Sequence, residues 1–232
     1  MSEHISENEP ACHCGKLGCE ICRVAVQDSF EENGLDTFEP FPFPHLLSVV
    51  SDDGHVPFRG LNEFEISKYR EKCQKRLSQC LPVDCIAMGA VDVSLNSFEN
   101  KITGWNFHSH AVLSRPLNGS ELKKLKERFP RNCTLDVYKP VVQKPIAQTE
   151  LRSTLRYVCK SFYTRRSTYI AKPKSERKPY RNSCGQDLTV KEDAMLNAAL
   201  AKYRVSDLLI FVGLKRQRTS DPTKLRLVRT SR

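Results

Sequence analysis

Two histidines separated by one residue, His108 and His110, lie in the segment Trp105-Asn-Phe-His-Ser-His-Ala-Val-Leu113. Alternating Phe107, Ala111 and Leu113, with β-branched Val112, predict a strand there. On a strand, positions i and i+2 face the same side, roughly 6.5–7 Å apart. Both imidazoles can then reach one divalent ion. Neutral imidazole suits zinc, manganese, iron, nickel or copper, and a carboxylate partner shifts the choice toward harder ions. A polar strand face can also carry such a pair without any metal, so the neighbouring residues decide the matter.

Asp92, in the apolar setting Val91-Asp-Val93, is the candidate third ligand, because a lone buried acid is otherwise costly. The hairpin's turn lies near Glu99-Asn100; if the chain turns near Asn96, paired positions have numbers that sum to about 200. Asp92 then faces His108 on the same side, whereas a register slip of one residue would put it on the other. Glu99 is the second choice, but it sits in the turn. Further along, Tyr157-Val-Cys-Lys160 places a phenol and an ammonium three residues apart. On a helix these are neighbours on one face. The ammonium favours the phenolate, which makes Tyr157 a candidate nucleophile. A nearby divalent metal would polarise a phosphate and stabilise the developing charge. Tyr169-Ile-Ala-Lys172 repeats the spacing, but Pro173 disfavours a helix there, and Tyr163 has Arg166 instead of a lysine.

A second constellation is Cys12-His-Cys14-Gly-Lys-Leu-Gly-Cys19-Glu-Ile-Cys22. Four thiolates, with Gly15 and Gly18 permitting tight turns, could close a tetrahedral zinc site. Cys12 and Cys14 are close, so His13 or His45 could replace one of them. The remaining cysteines read as small core residues.

The elements that must position these groups follow from periodicity. Residues 28–45 are acidic and rich in Pro and Phe and read as an extended linker or latch. Leu46–Ser51 reads as a strand. Phe64, Ile66, Tyr69, Cys73 and Leu77 predict a helix over 61–81, ended by Pro82. The hairpin runs over 86–95 and 102–113. Ser120 opens a helix, and Thr134–Tyr138 with Val141-Val142 reads as a strand. Leu151, Leu155, Val158 and Phe162 predict a helix over 149–163. Residues 165–181 read as a basic loop, 190–203 as a helix, 208–212 as a strand, and the tail from Lys215 as mobile. The order predicts an α+β domain: a ferredoxin-like split βαβ antiparallel sheet with helices on one face, plus a small Cys-rich N-terminal segment. The expected division is 1–45, 46–214 and 215–232.

Charge points to the partner. Residues 1–66 hold 3 Lys/Arg and 13 Asp/Glu, a balance of −10, and residues 67–232 hold 34 and 14, a balance of +20. A basic body of this size is the footprint of a polyanion-binding protein. Arg152, Arg156, Arg165, Arg166, Lys172 and Lys174 cluster in sequence around the Tyr157 segment and are the expected polyanion contacts, which become DNA contacts on the resemblance that follows. No apolar run nears the roughly 20 residues of a membrane span, and the first residues lack signal-peptide character. The expectation is a cytoplasmic protein with no membrane partner, whose ten cysteines are thiols or metal ligands.

Taken in order, Leu47-Ser-Val-Val-Ser51, the Asp92 strand, Trp105–Leu113 and Tyr157-Val-Cys-Lys160 resemble the motifs of plasmid rolling-circle replication initiator (Rep) proteins of the HUH endonuclease superfamily. Leu196–Arg204 and Phe211–Lys215 also resemble the segment that follows the catalytic helix. The resemblance covers roughly residues 46–214. It implies an HUH nuclease core and an Mn²⁺- or Mg²⁺-dependent, single-strand-specific endonuclease and ligase. Such an enzyme nicks a replication origin and attaches to the 5′ phosphate through tyrosine. Origin single-stranded DNA, with host helicase and polymerase, would be its partners. Two residues depart from the family pattern: Ser109 stands where a hydrophobic residue is usual, and Asp92 where glutamate is usual. They keep open a non-catalytic single-stranded DNA-binding or regulatory protein on the same fold. A relaxase or transposase of the superfamily is the third reading.

Overall fold

The computed structural model describes residues 12, 14–129, 140–171 and 180–230. The fold is α+β. In chain order the elements are α1 (Glu20–Phe38), β1 (His45–Val49), β2 (His55–Val56), α2 (Ile66–Cys80), β3 (Ala87–Phe98), β4 (Lys101–Leu113), α3 (Gly119–Arg128), β5 (Val141–Pro145), α4 (Leu151–Val158), β6 (Thr164–Ala171), β7 (Tyr180–Asp187), α5 (Val190–Leu200), β8 (Leu209–Val212), β9 (Leu214–Arg216) and β10 (Leu227–Arg229). One sheet runs β5-β1-β4-β3-β6-β7, with β2 added to β4 and β8 added to β3. The pairing is mixed: β3 and β6 are parallel, and the other pairs are antiparallel. The all-antiparallel sheet expected from the sequence is corrected in that one place.

The central strands β3 and β4 are buried along most of their length, so both faces of the sheet must be covered. Helices lie on both, not on one. Phe107 faces α2 and the turn before it: Tyr69 Oη donates to Phe107 O at 2.9 Å, and the Phe64 ring stacks on Phe107 with centroids 4.5 Å apart. His108 and His110 point the other way, toward α4, where the Tyr157 ring lies 4.9 Å from that of His110. Each helix owes its place to an apolar stripe. In α2 it is Ile66, Tyr69, Cys73, Leu77 and Cys80, and in α4 it is Leu151, Leu155 and Val158. Asn118 with Glu121, and Thr189 with Glu192, form capping boxes that start α3 and α5. The N-cap of α3 is therefore Asn118, two residues before Ser120.

Four further expectations are corrected. Residues 28–38 are not extended but form the second half of α1, whose Cys22, Val26, Phe30, Gly34 and Phe38 are buried at a spacing of four. The expected helix 149–163 stops at Val158. Cys159 leaves the helical region at φ −108°, ψ 71°, so that the chain can turn into β6. Of the basic stretch expected as a loop over 165–181, the part up to Ala171 is strand β6, which pairs antiparallel with β7 and is exposed enough to show no apolar alternation; residues 172–179 lie outside the described residues. The tail is folded back: β9 pairs with β10, and the buried Leu225 donates its N–H to Ser29 Oγ of α1 at 2.8 Å. Val141-Val142 begins β5, while the expected strand 134–138 lies outside the described residues.

Candidate active site and metal centres

The hairpin brings Asp92 opposite His108, and a bulge makes it so. Glu99 and Asn100 have φ of 45° and 67°, the left-handed pair of a type I′ turn. This turn pairs Phe98 with Lys101. Carried up the hairpin unchanged, that register would set Asp92 opposite Phe107, on the wrong face. The register shifts between Ser97↔Ile102 and Asn96↔Gly104, so Thr103 is an extra residue on β4 that restores the pairing. Its hydroxyl donates to Asn96 O at 3.0 Å. Gly104 accommodates the kink at φ +134°, and a Cβ there would lie 2.5 Å from Val56 O.

Asp92, His108 and His110 are all buried, and their candidate donor atoms lie within 4.8 Å of one another. Asp92 Oδ2 is 3.3 Å from His108 Nε2 and 3.9 Å from His110 Nε2. Asp92 Oδ1 accepts the Val93 N–H at 2.8 Å. The far nitrogens of both rings are occupied: His108 Nδ1 is 3.1 Å from Asn106 O, and His110 Nδ1 is 2.9 Å from Ser48 Oγ. When both rings are neutral with protons on Nδ1, both Nε2 lone pairs face Asp92. Two imidazole nitrogens and one carboxylate form a donor set that fits a divalent ion. Asn106 Oδ1, buried beside them in the strand, has no hydrogen-bond partner among the described residues. Glu99, the second choice, stays in the turn and outside this group.

The surroundings of Asp92 favour its ionised form. Burial alone would raise the Asp92 carboxyl, but its contact with His108 and the ammonium of Lys160 outweigh burial and hold it well below the usual carboxylate range. Burial, helped by the charge of His108, pushes His110 down to about 3, which leaves a neutral imidazole at ordinary pH.

Tyr157 and Lys160 both reach this group, though not as helix neighbours. Tyr157 is in the last turn of α4 rather than its middle, and Lys160 lies beyond the helix end. The turn at Cys159 still folds Lys160 back. Its Nζ is 2.5 Å from Asp92 Oδ2 and 4.5 Å from the Tyr157 ring centroid. Tyr157 is 45% exposed, with Oη 3.4 Å from His110 Nε2. The competing tyrosines are elsewhere. Tyr163 is half-buried; its hydroxyl is buried with no partner among the described residues, and burial pushes its phenol up. Tyr169 lies on β6, accepting from Asn182 Nδ2 at 3.1 Å. Ser109, the departure between the histidines, is buried on the α2 face and does not point at the donors.

Two residues of the site were not singled out in the sequence. Ser48 reaches it only because β1 pairs with β4, Ser48 opposite His110. The spacing of Leu47-Ser-Val-Val-Ser51 marks a strand but not its neighbour. Asn106 shares the face of His108 and His110, and its i, i+2, i+4 spacing was a usable signal.

The four cysteines also converge. Cys14 Sγ is 3.6 Å from Cys22 Sγ, and Cys12 Sγ is 3.6 Å from Cys19 Sγ and 4.0 Å from Cys22 Sγ. Hydrogen bonding from the Lys16 backbone N–H pulls the Cys14 thiol down to about 7, while burial pushes Cys22 up to about 12. The set could hold a metal ion. His45 is occupied with Phe43 O at 3.0 Å and is not part of it. His13 lies outside the described residues.

Of the expected DNA contacts, Arg152 and Arg156 on α4 pair with Glu31 of α1, and Arg156 also with Asp28 at 2.8 Å. Arg165 pairs with Glu192 at 3.1 Å. Arg166 reaches Ser183 Oγ at 3.3 Å. Lys172 and Lys174 lie outside the described residues. Among the described residues no helix is long and apolar enough to cross a membrane. No protein-family model, no curated protein and no solved structure matches the chain.

Proposed function

We propose that this chain is a metal-dependent DNA strand transferase of the HUH type that nicks and rejoins single-stranded DNA at a replication origin, initiating rolling-circle plasmid replication. The observation that carries the reading is the meeting of a half-exposed phenol, Tyr157, with the Asp92–His108–His110 donor set across β4 and α4. On this reading β1, α2, β3, β4, α4 and β8 form the ferredoxin-like core of the nuclease.

The chemistry needs few groups. Tyr157 Oη loses its proton to solvent and attacks phosphorus, forming a new O–P bond. The P–O3′ bond breaks, and the 3′ oxygen leaves and takes up a proton from water. The product is a phosphotyrosine at the 5′ end, whose bond energy a later 3′ hydroxyl uses to reseal the strand. Lys160 holds the phenolate beside its ammonium and offsets negative charge in the transition state. Asp92, His108 and His110 would hold Mn²⁺ or Mg²⁺, which when bound polarises a phosphate oxygen. Packing Leu155 and Val158 into the core fixes α4, and with it the phenol, against the sheet. In-line attack requires the oxygen within about 3–3.5 Å of phosphorus.

The test is incubation of the protein with single-stranded DNA and Mn²⁺, followed by a denaturing gel. A covalent adduct should form, should need the metal, and should vanish in Tyr157→Phe, while metal and DNA binding persist. An adduct that survives Tyr157→Phe would assign the nucleophile elsewhere. Binding of single-stranded DNA with no adduct under any metal would favour the non-catalytic reading.

A further inference from the structure

The cysteine cluster stands apart from the Tyr157 site, yet one helix joins them. A tetrahedral zinc site with Zn–S bonds of about 2.3 Å has sulfur–sulfur edges of about 3.8 Å. The three separations of 3.6, 3.6 and 4.0 Å match that edge. The loop also supplies what thiolates need. Gly15 N–H donates to Cys22 Sγ at 3.3 Å, and Lys16 N–H to Cys14 Sγ at 3.5 Å. Gly15 adopts φ +64° to make that turn. The loop is docked as well as folded: Leu17 N–H donates to Tyr203 O at 2.9 Å, and Val205 N–H to Gly15 O at 3.0 Å.

Cys19 immediately precedes α1 and accepts the Arg23 N–H at 3.0 Å, and Cys22 lies in the first turn. The cluster therefore fixes the beginning of α1. That helix then grips the Tyr157 segment from both sides. Gln27 Nε2 donates to Arg156 O at 2.9 Å, one residue before Tyr157. Arg23 Nε donates to Ser161 O at 2.8 Å, one residue after Lys160. These carbonyls are at and beyond the C-terminal end of α4, where no helical N–H remains to satisfy them. Deeper in, Gly34 leaves room for Leu155: a Cβ at residue 34 would lie 2.4 Å from Leu155 Cδ2. Glu31, buried, pairs with Arg152 and Arg156.

We propose that Cys12, Cys14, Cys19 and Cys22 hold one structural zinc ion, and that this ion anchors α1 as a clamp positioning the Tyr157–Lys160 segment. Arg23 and Gln27 are the positioning residues. Four sulfur donors in a tetrahedral arrangement select zinc over the harder ion suited to Asp92 and the histidines. The chain would then use two metals of different chemistry: one at the phosphate, the other holding the segment that bears the nucleophile.

The activity arm of the test rests on the nicking reading, while the other two arms do not. Metal content is measured by mass spectrometry on the purified full chain, amide exchange is followed over residues 156–161, and adduct formation is timed with saturating Mn²⁺. The chains compared are wild type, the Cys14→Ser/Cys19→Ser double variant, Cys14→His and Arg23→Ala. Wild type should carry one zinc. The double variant should lose it and exchange at 156–161 about tenfold faster, the opening of a local unit. Cys14→His, which replaces one zinc ligand by another, should keep both zinc and slow exchange. Arg23→Ala should keep zinc yet exchange faster, which tests the clamp even if the double variant does not fold. Absence of zinc, iron in its place, or two disulfides by intact mass would overturn the site. Zinc loss without faster exchange, or Arg23→Ala exchanging as wild type, would overturn the clamp. Zinc and exchange behaving as expected with no adduct from wild type would leave the clamp standing and refute the nicking reading.

Discussion

Ser48→Ala isolates the geometry of the donor set without touching a donor. Ser48 Oγ is 2.9 Å from His110 Nδ1, while the equivalent nitrogen of His108 is held by a backbone carbonyl, Asn106 O. Only one of the two imidazoles thus depends on a side chain for its tautomer. To offer Nε2, His110 must keep its proton on Nδ1, and Ser48 accepts it. Removing the hydroxyl forfeits a hydrogen bond worth about 1 kcal/mol and lets the proton move to Nε2. Loss of such outer partners typically weakens metal affinity by about 10–100-fold. The lower end applies here, because ring packing between His108 and Tyr157 still orients His110. We expect Mn²⁺ affinity to fall about tenfold, or about 1.4 kcal/mol. Stability in urea should change by less than about 1 kcal/mol, as Ser48 is only half-buried. Isothermal titration gives the first quantity and denaturation the second. Affinity within twofold of wild type would refute the tautomer argument. Loss of affinity together with loss of fold would show that Ser48 acts on the strand and not on His110.

Three other outcomes follow from the geometry. Lys160→Met should bind Mn²⁺ more tightly, roughly tenfold by titration, because an ammonium 2.5 Å from Asp92 Oδ2 competes with the dication; adduct formation should nevertheless slow, and weaker metal binding would contradict this. Gly104→Ala should cost about 2–4 kcal/mol in urea denaturation, since φ +134° and a Cβ 2.5 Å from Val56 O leave no relaxed conformation; a neutral effect would mean that the bulge is not needed. Single-stranded DNA binding should fall with salt at a log–log slope of about −0.7 per phosphate neutralised. A flat response would remove the basic body from the interface.

Local patterning made the hairpin legible, and with it Asp92, His108 and His110, because cross-strand pairing near a tight turn depends on few residues. The inferred register held only through the Thr103 bulge, whose signal was a single glycine in a strand. Helix α1 was readable in the spacing Cys22, Val26, Phe30, Gly34 and Phe38, but acidic residues and the following Pro/Phe run masked it. Strand β6 carries polar residues on both faces and so lacks the alternation that marks a half-buried strand. The Tyr157–Lys160 proximity was inferred from helical spacing, yet it arises from a helix end and a buried ion pair with Asp92. Ser48 needed the β1–β4 pairing, which no local pattern encodes. The parallel β3–β6 pair and the helices on both sheet faces are likewise tertiary.

The most direct measurement is the identity of the residue that carries DNA. Trypsin separates the three candidate tyrosines by the sequence itself: Tyr157 falls in the peptide 157–160, Tyr163 in 161–165, and Tyr169 in 167–174. After incubation with single-stranded DNA and Mn²⁺ and nuclease trimming, tandem mass spectrometry should place the nucleotide on the 157–160 peptide, at Tyr157 Oη. A nucleotide found on either other peptide, or on none while DNA is bound and Mn²⁺ is present, would contradict the account.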